Sequence, residues 1–92
     1  MKKPKKVKKR WGHELWLANN KEEDYCGKIL HIKKGCSTSM HFHSNKHETF
    51  YVLSGRLKVE MINTLIGKSA DYFIKEGETF EINRNEPHKL IA

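Results

Sequence analysis

Three side chains that can bind a metal ion, two imidazoles and one carboxylate, are grouped near the middle of the chain. His41 and His43 are two residues apart, and Glu48 follows shortly after them. In an extended strand, residues i and i+2 project from the same face, so both imidazoles can point towards one position. Neutral imidazole and carboxylate together suit divalent first-row metals. The spacing predicts a metal site carried by β-structure; the alternative is a set of ordinary polar strand residues.

The elements that must position these residues are short strands separated by turns. Apolar and polar residues alternate in several segments, Lys34-Gly35 and Ser54-Gly55 are turn signals, and no segment has convincing helical periodicity. We therefore predict an all-β sandwich or barrel in a single domain. Residues 48–53 and 56–62 are expected to form a hairpin around Ser54-Gly55. The predicted strands cover residues 11–17, 25–33, 39–43, 48–53, 56–62, 71–74, 79–82 and 87–91.

The positive charge of the chain is concentrated at its start. The formal net charge is +7, and seven Lys and Arg residues lie within the first ten positions, so the remainder is balanced. This pattern predicts a basic flexible tail over residues 1–10 and a neutral domain over residues 11–92. Such a tail contacts phosphates or anionic surfaces, or is simply solvated. Because no aromatic residue is interleaved before Trp11, nucleic acid is not the expected partner.

Membrane insertion and secretion are not expected from this sequence. No apolar run approaches the roughly 18–20 residues that a membrane-spanning helix needs. The start of the chain is charged and lacks the apolar segment of a secretory signal. The two cysteines, Cys26 and Cys36, do not make a disulfide framework, so we interpret them as reduced thiols of a cytoplasmic protein.

Two spaced patterns in the chain resemble the conserved motifs of the cupin superfamily. The first motif, G-x5-H-x-H-x4-E-x6-G, is matched at every fixed position by Gly35, His41, His43, Glu48 and Gly55. The second motif, G-x5-P-x-G-x2-H-x3-N, is matched by its first glycine and its histidine, Gly77 and His88. Asn83, Asn85 and Ala92 stand at its other fixed positions, where proline, glycine and asparagine are usual.

The resemblance implies a cupin jelly-roll barrel over residues 11–92, an all-β fold in which four side chains bind one divalent metal ion. The implied ligands are His41, His43, Glu48 and His88, and the ion is zinc, manganese, iron or nickel. Arg10-Trp11-Gly12, and the Glu48-x5-Ser54-Gly55 end of the first motif, are similar to the cupin domain of type II mannose-6-phosphate isomerases. That similarity implies a small polar substrate, a sugar or a sugar phosphate, and isomerase chemistry.

Whether the chain is an enzyme is left open by its sequence. A metal-dependent isomerase needs a separate base, and no catalytic residue can be assigned; His47 is the nearest candidate and is expected beside the metal ligands rather than among them. The alternatives are a non-catalytic sugar-binding or structural cupin module and an iron-dependent dioxygenase. Cupins usually continue with further strands after the position of His88, so we expect a truncated chain, an abbreviated barrel, or a partner that supplies strands. Because exposed strand edges need cover, a homodimer is expected.

Overall fold

The computed structural model describes residues 2–92, which form eight strands and contain no helix; Met1, part of the predicted tail, lies outside the described residues. The all-β prediction is confirmed. By contact, the chain divides into two compact units, Met1–Cys36 and Ser37–Ala92. The strands are β1 (Lys5–Lys9), β2 (Gly12–Asn20), β3 (Tyr25–Ile32), β4 (Glu48–Tyr51), β5 (Arg56–Asn63), β6 (Lys68–Lys75), β7 (Thr79–Ile82) and β8 (His88–Ile91).

The first unit is a three-stranded antiparallel sheet with the order β1-β2-β3. Its edge strand is β1: Lys5–Lys9, which lie within the predicted tail of residues 1–10, pair in register with β2. An antiparallel ladder is held by backbone hydrogen bonds, so a strand of exposed lysines can join it without an apolar face. In addition, the Lys5 ammonium lies 5.2 Å from the centre of the Trp16 ring across the strand pair.

The second unit is built from three nested antiparallel pairs, which is the topology of a jelly roll. The segment before β4 pairs with β8 through the isolated bridges Ser37–Ile91 and His41–His88. Inside that pair β4 pairs with β7, and inside both of them β5 pairs with β6. The three nested pairs together resemble one long hairpin. An additional β5–β8 ladder joins its outermost pair to its innermost pair, so the hairpin is rolled up.

The structure differs from the sequence prediction in how strands β4 and β5 pair. The turn at Ser54-Gly55 forms, and Gly55 adopts the left-handed conformation with φ of 80°, but β4 and β5 belong to different sheets. A rolled topology sends the two strands that flank this turn to opposite sheets, so adjacency in sequence does not produce a ladder here. The ladders of residues 2–92 make three separate sheets rather than one closed barrel.

The core of the second unit follows the alternation of apolar residues along its strands. Val59, Ile82 and Leu90 are almost fully buried, at 0%, 1% and 2% exposure. Val59 and Leu90 are directly paired between β5 and β8, so their side chains share one face of that sheet. The residues predicted to form the core are Phe50, Val52, Leu57, Val59, Met61, Phe80 and Ile82, and each of them is buried or half-buried.

Candidate metal centre

Three histidines from the second unit converge on one position. One ring nitrogen from each of His41, His43 and His88 lies within 4.8 Å of the corresponding nitrogens of the other two. His41 and His43 lie in the segment before β4, two residues apart, whereas His88 begins β8. Three imidazoles at this separation can hold a divalent metal ion such as zinc, copper, iron or nickel.

A backbone bridge brings the most distant of these residues into place. The amide of His41 donates to the carbonyl of His88 at 3.0 Å, and the amide of His88 donates to the carbonyl of His41 at 2.9 Å. Residues that exchange both hydrogen bonds in an antiparallel pair lie directly opposite each other, and their side chains project to the same face. The two rings are therefore close, with centroids 4.4 Å apart.

Hydrogen bonds to backbone carbonyls orient two of the three rings. Nδ1 of His41 lies 2.8 Å from the carbonyl oxygen of Ser39, and Nδ1 of His88 lies 2.9 Å from the carbonyl oxygen of Glu86. A carbonyl oxygen only accepts, so Nδ1 carries the proton in both rings. In the neutral imidazole this leaves Nε2 with its lone pair available, the arrangement usual for metal-binding histidines.

Glu48, the first residue of β4, brings a carboxylate beside two of the histidines. Its Oε1 lies 3.2 Å from Nε2 of His43 and 3.8 Å from Nε2 of His88. Oε1 of Glu48 and Nε2 of His88 are both buried and lack a hydrogen-bond partner. A buried polar atom without a partner costs about 1–3 kcal/mol. Because His88 presents a lone pair to a carboxylate oxygen, a cation between the two groups satisfies both; this donor set therefore fits a divalent metal.

The local electrostatics keep His43 in its neutral form. Partial burial lowers the pKa of His43 below its ordinary value of 6.5; the positive charge of Lys46 adds to this effect, as would a proton on His41 or His88. The carboxylate of Glu48 acts in the opposite direction and raises the pKa, but burial has the larger effect. A neutral imidazole keeps the lone pair that metal binding requires.

His47, which the sequence predicts beside the metal ligands, is paired with a carboxylate on β7. Its Nε2 lies 2.8 Å from Oε1 of Glu81 on β7, and both side chains are largely exposed. The aromatic ring that lies beside the buried His88 is that of Phe50, at a centroid distance of 6.4 Å and in edge-to-face orientation. Sequence alternation from Glu48 places Phe50 on the same strand face, but only the strand pairing shows which histidine it meets.

The turn between β7 and β8 contacts the backbone of His43, which the sequence did not predict. The amide of Asn85 donates to the carbonyl of His43 at 2.8 Å, and the carboxylate of Glu86 accepts from the amide of Asn83 at 2.7 Å. Asn85 has φ of 65°. That left-handed conformation favours glycine and, after it, asparagine. The sequence did contain one indication of this turn: Asn85 stands where the motif has glycine, and asparagine is the residue best able to replace glycine in the left-handed conformation.

The family of the chain follows from its match to known domains. Residues 28–92, more than half of the chain, match the cupin domain family. The chain belongs to the cupin domain family. No curated protein and no solved structure matches the chain.

Family membership agrees with the strand topology and with the position of the histidine cluster. The matched region of this cupin contains the nested strands of the second unit and all three converging histidines. Residues 2–92 contain no helix long and apolar enough to cross a membrane.

Proposed function

We propose that this cupin binds one divalent metal ion through His41, His43 and His88, with the carboxylate of Glu48 as the fourth ligand. The observation that carries the proposal is the buried pair formed by Glu48 Oε1 and His88 Nε2, 3.8 Å apart and each without a hydrogen-bond partner. Two unpartnered acceptor atoms in this position destabilise a metal-free protein. A cation removes that cost, so binding and folding free energy are coupled.

The second part of the proposal is that the site acts on a small polar substrate, a sugar or a sugar phosphate. A bound divalent ion supplies Lewis acidity, which polarises a carbonyl or hydroxyl oxygen. The chain's own contribution is to hold the ligands: the carbonyls of Ser39 and Glu86 fix two rings, and the edge of Phe50 limits space and water beside His88. The similarity of Arg10-Trp11-Gly12 and of the Ser54-Gly55 turn to type II mannose-6-phosphate isomerases supports the choice of substrate.

A non-catalytic module that binds a sugar through the metal is the second candidate function, and one observation favours it. Isomerisation requires a base that moves a proton between carbons. His47, the candidate base, is largely exposed, pairs with Glu81 at 2.8 Å, and is not among the three clustered histidines. The iron-dependent dioxygenase remains a third possibility, because three histidines and one carboxylate do not select the metal.

Metal content is the experiment that tests the metal site. Plasma mass spectrometry of the purified protein is expected to find about one zinc, manganese, iron or nickel ion per chain. His43→Ala should lose that ion, whereas the matched control His47→Ala should keep it, because His47 is paired with Glu81. A protein that takes up no metal after loading with each of the four ions would contradict the proposal.

The substrate is tested separately, with the metal-loaded protein. Interconversion of aldose and ketose phosphates, followed by an NMR spectrum of the sugar, is expected for the isomerase. Saturable binding of the same sugars without turnover would select the binding module. Oxygen consumption by the iron-loaded protein alone would select the dioxygenase. Because metal content is measured independently, failure at this step leaves the metal site standing.

A homodimer and a cytoplasmic location complete the proposal. Strand β6 lies at the edge of its sheet, and seven of its eight residues are exposed, among them Phe73 at 75% exposure. An exposed strand edge with apolar side chains favours association with a second copy. Sedimentation equilibrium is expected to give twice the chain mass, and Phe73→Lys should shift the measured mass towards that of the monomer.

The cytoplasmic location is supported by the cysteines, because the free thiols of Cys26 and Cys36 suit a reducing compartment.

A further inference from the structure

The first unit carries the whole net charge of the protein. Residues up to Cys36 include eleven Lys and Arg but four Asp and Glu, whereas residues from Ser37 onward contain seven of each. Three of the four acidic residues of the first unit, Glu22, Glu23 and Asp24, follow β2 in the turn before β3. The other end of the sheet, where β1 turns into β2, is therefore basic.

The strand register sorts these charges onto the two faces of the sheet. Lys8, His13 and His31 form one row across the three strands, because Lys8 is opposite His13 and His13 is opposite His31. Directly opposed residues share a face, as do residues two apart along a strand, so Lys6 and Lys33 belong to the same face. We call Lys6, Lys8, His13, His31 and Lys33 the basic face; it contains no acidic residue.

Two observations show that the charges of the basic face are close together and unneutralised. The pKa of His13 is lowered by partial burial and then by the positive charges of Lys6, His31 and Lys33. Within residues 2–92, the ion pairs that Lys or Arg makes with a carboxylate are Lys28–Glu14 and Lys58–Asp71. The lysines of the basic face are thus exposed and free to meet anions.

The opposite face of the same sheet is partly neutralised, because one of its lysines is paired with a carboxylate. Glu14 pairs with Lys28 at 3.7 Å and accepts a hydrogen bond from the Trp16 indole at 2.9 Å. The ammonium groups of Lys5 and Lys28 lie 5.2 and 4.8 Å from the centre of the Trp16 ring. On this face, the Trp16 ring and the charge of Lys28 therefore already have partners within the sheet. Substitutions on this face serve as the control for those on the basic face.

Aromatic rings lie among the lysines of the basic face. The imidazoles of His13 and His31 are stacked, with centroids 5.1 Å apart and an interplanar angle of 16°. The sequence separates these rings from the lysines of β1, which is why nucleic acid was not expected from sequence. The ladder brings them together, since His13 lies directly opposite Lys8.

We propose that the basic face binds single-stranded nucleic acid, with its lysines on the phosphates and a base stacked on the outer face of the exposed His31 ring, which lies on the edge strand β3. Lysines combined with flat rings are the means by which proteins hold single strands without reading their sequence. The unpaired bases of a single strand are free to stack on the outer face of the His31 ring, whose inner face is covered by His13.

The test measures binding of a fluorescein-labelled oligothymidine of about 20 nucleotides by fluorescence anisotropy, from about 50 to about 200 mM salt. The full-length chain is used throughout with EDTA, so the result does not depend on the metal site. Lys6→Gln/Lys8→Gln should weaken binding at least about 10-fold at low salt and reduce the salt slope by about 1.4, or about 0.7 for each lost phosphate contact.

Two further variants separate this proposal from general attraction to a basic chain. Lys5→Gln/Lys9→Gln removes the same charge from the same strand but from the opposite face, and should weaken binding by no more than about 2-fold. His31→Ala should weaken it by about 5-fold with an unchanged salt slope, since stacking carries no counterion effect. Equal losses in the two lysine pairs, absence of binding at 50 mM salt, or tighter binding to duplex DNA or anionic phosphatidylserine vesicles would each overturn the proposal.

Discussion

His41 and His88 are joined by two reciprocal backbone hydrogen bonds, of 3.0 and 2.9 Å. Their rings approach each other because this bridge sets their backbones opposite each other, not because the side chains attract. A buried neighbour, Thr38, strengthens the same connection: its amide donates to the carbonyl of Leu90 at 2.9 Å, and its hydroxyl accepts from the amide of Leu90 at 3.0 Å. The three-histidine cluster thus lies on a frame of backbone hydrogen bonds, which substitution of the histidine side chains leaves in place.

The first prediction is that metal stabilises the protein through this site. At a free zinc concentration of about 100 times Kd, the free energy of unfolding should rise by about 2.7 kcal/mol, because the ion binds the folded chain alone. Urea denaturation with zinc and with EDTA measures the difference. His41→Ala should abolish the response and His47→Ala should retain it; equal responses of the two variants would contradict the assignment of His41 as a ligand.

The second prediction is that Glu48→Gln has opposite effects on the two states of the protein. The glutamine amide can donate to a buried acceptor such as Nε2 of His88, which lacks a partner. The metal-free protein should therefore gain up to about 1 kcal/mol of stability. Metal affinity should fall at least about 10-fold, because a neutral oxygen is a weaker ligand for a divalent cation.

The control for Glu48→Gln is the same substitution at Glu81, on the paired strand β7. Glu81 is exposed and contacts His47 rather than the three-histidine cluster. Glu81→Gln should change neither the metal affinity nor the metal-free stability by more than about 0.5 kcal/mol. Isothermal titration calorimetry and urea denaturation give the two quantities, and a metal-free Glu48→Gln less stable than the wild type would refute the account of the buried acceptors.

The third prediction concerns the pH dependence of metal-free stability. Burial lowers the pKa of His43 in the folded protein below 6.5, its ordinary value and the one expected in the unfolded chain. Below pH 6.5 the unfolded chain therefore binds more protons at this ring than the folded chain does, so acidification favours unfolding. The stability due to neutral His43 is present above pH 6.5 and decreases as the pH falls towards the folded-state pKa.

Urea denaturation at about pH 7.5 and about pH 5.5, in EDTA, measures this effect against His43→Gln, which does not titrate. The wild type should lose more stability than the variant between the two pH values. A wild type that loses less than His43→Gln would show that the carboxylate of Glu48, and not burial, determines the protonation of His43.

The fourth prediction concerns Asn85, which holds the turn between β7 and β8 against His43. Its φ of 65° is costly for residues with a Cβ other than asparagine and aspartate, whereas glycine adopts it freely. Asn85→Ala should destabilise the protein by about 1 kcal/mol and weaken metal binding, while Asn85→Gly should preserve both. Thermal unfolding and calorimetry are the measurements; equal behaviour of the two variants would indicate that the turn does not position His43.

The sequence predicted most residues of the candidate site but only part of the strand pairing. The spacing of His41 and His43 predicted a shared face, and the motif position of His88 placed a third ring there, because both are local patterns with a fixed geometry. The pairing of β4 with β7 was not predictable from such patterns, since the Ser54-Gly55 turn has the local features of a hairpin. Which strands pair in the rolled topology depends on contacts between residues far apart in sequence, and the turn residues do not determine those contacts.

The first unit shows the same limit more strongly. Lys5–Lys9 lack an apolar face, so composition predicted a flexible tail, whereas backbone pairing with β2 makes them a strand. The cross-strand pair of His13 and His31 was equally hidden, because ladder register depends on the turn between β2 and β3 and on an irregularity between Trp16 and Ala18. Each of these features depends on backbone hydrogen bonds between strands, which the pattern of side chains along the sequence does not predict.

The fifth prediction tests that register at Gly12, where β2 begins. A Cβ on Gly12 would lie 1.8 Å from the carbonyl oxygen of His31, and its φ of 153° is one that residues with side chains rarely adopt. Because the clash is with backbone, the strands must separate, so Gly12→Ala should cost more than about 2 kcal/mol and disrupt the stacked pair of His13 and His31.

Gly27→Ala is the matched control, because a Cβ there meets the Cβ of Leu17 at 3.9 Å, an ordinary contact. It should leave stability within about 0.5 kcal/mol of the wild type, since it adds a methyl group without strain. Urea denaturation measures both variants, and the imidazole resonances of His13 and His31 report on the stacking. If Gly12→Ala unfolds at the same urea concentration as Gly27→Ala with unchanged imidazole resonances, the close approach of β2 and β3 at Gly12 is wrong.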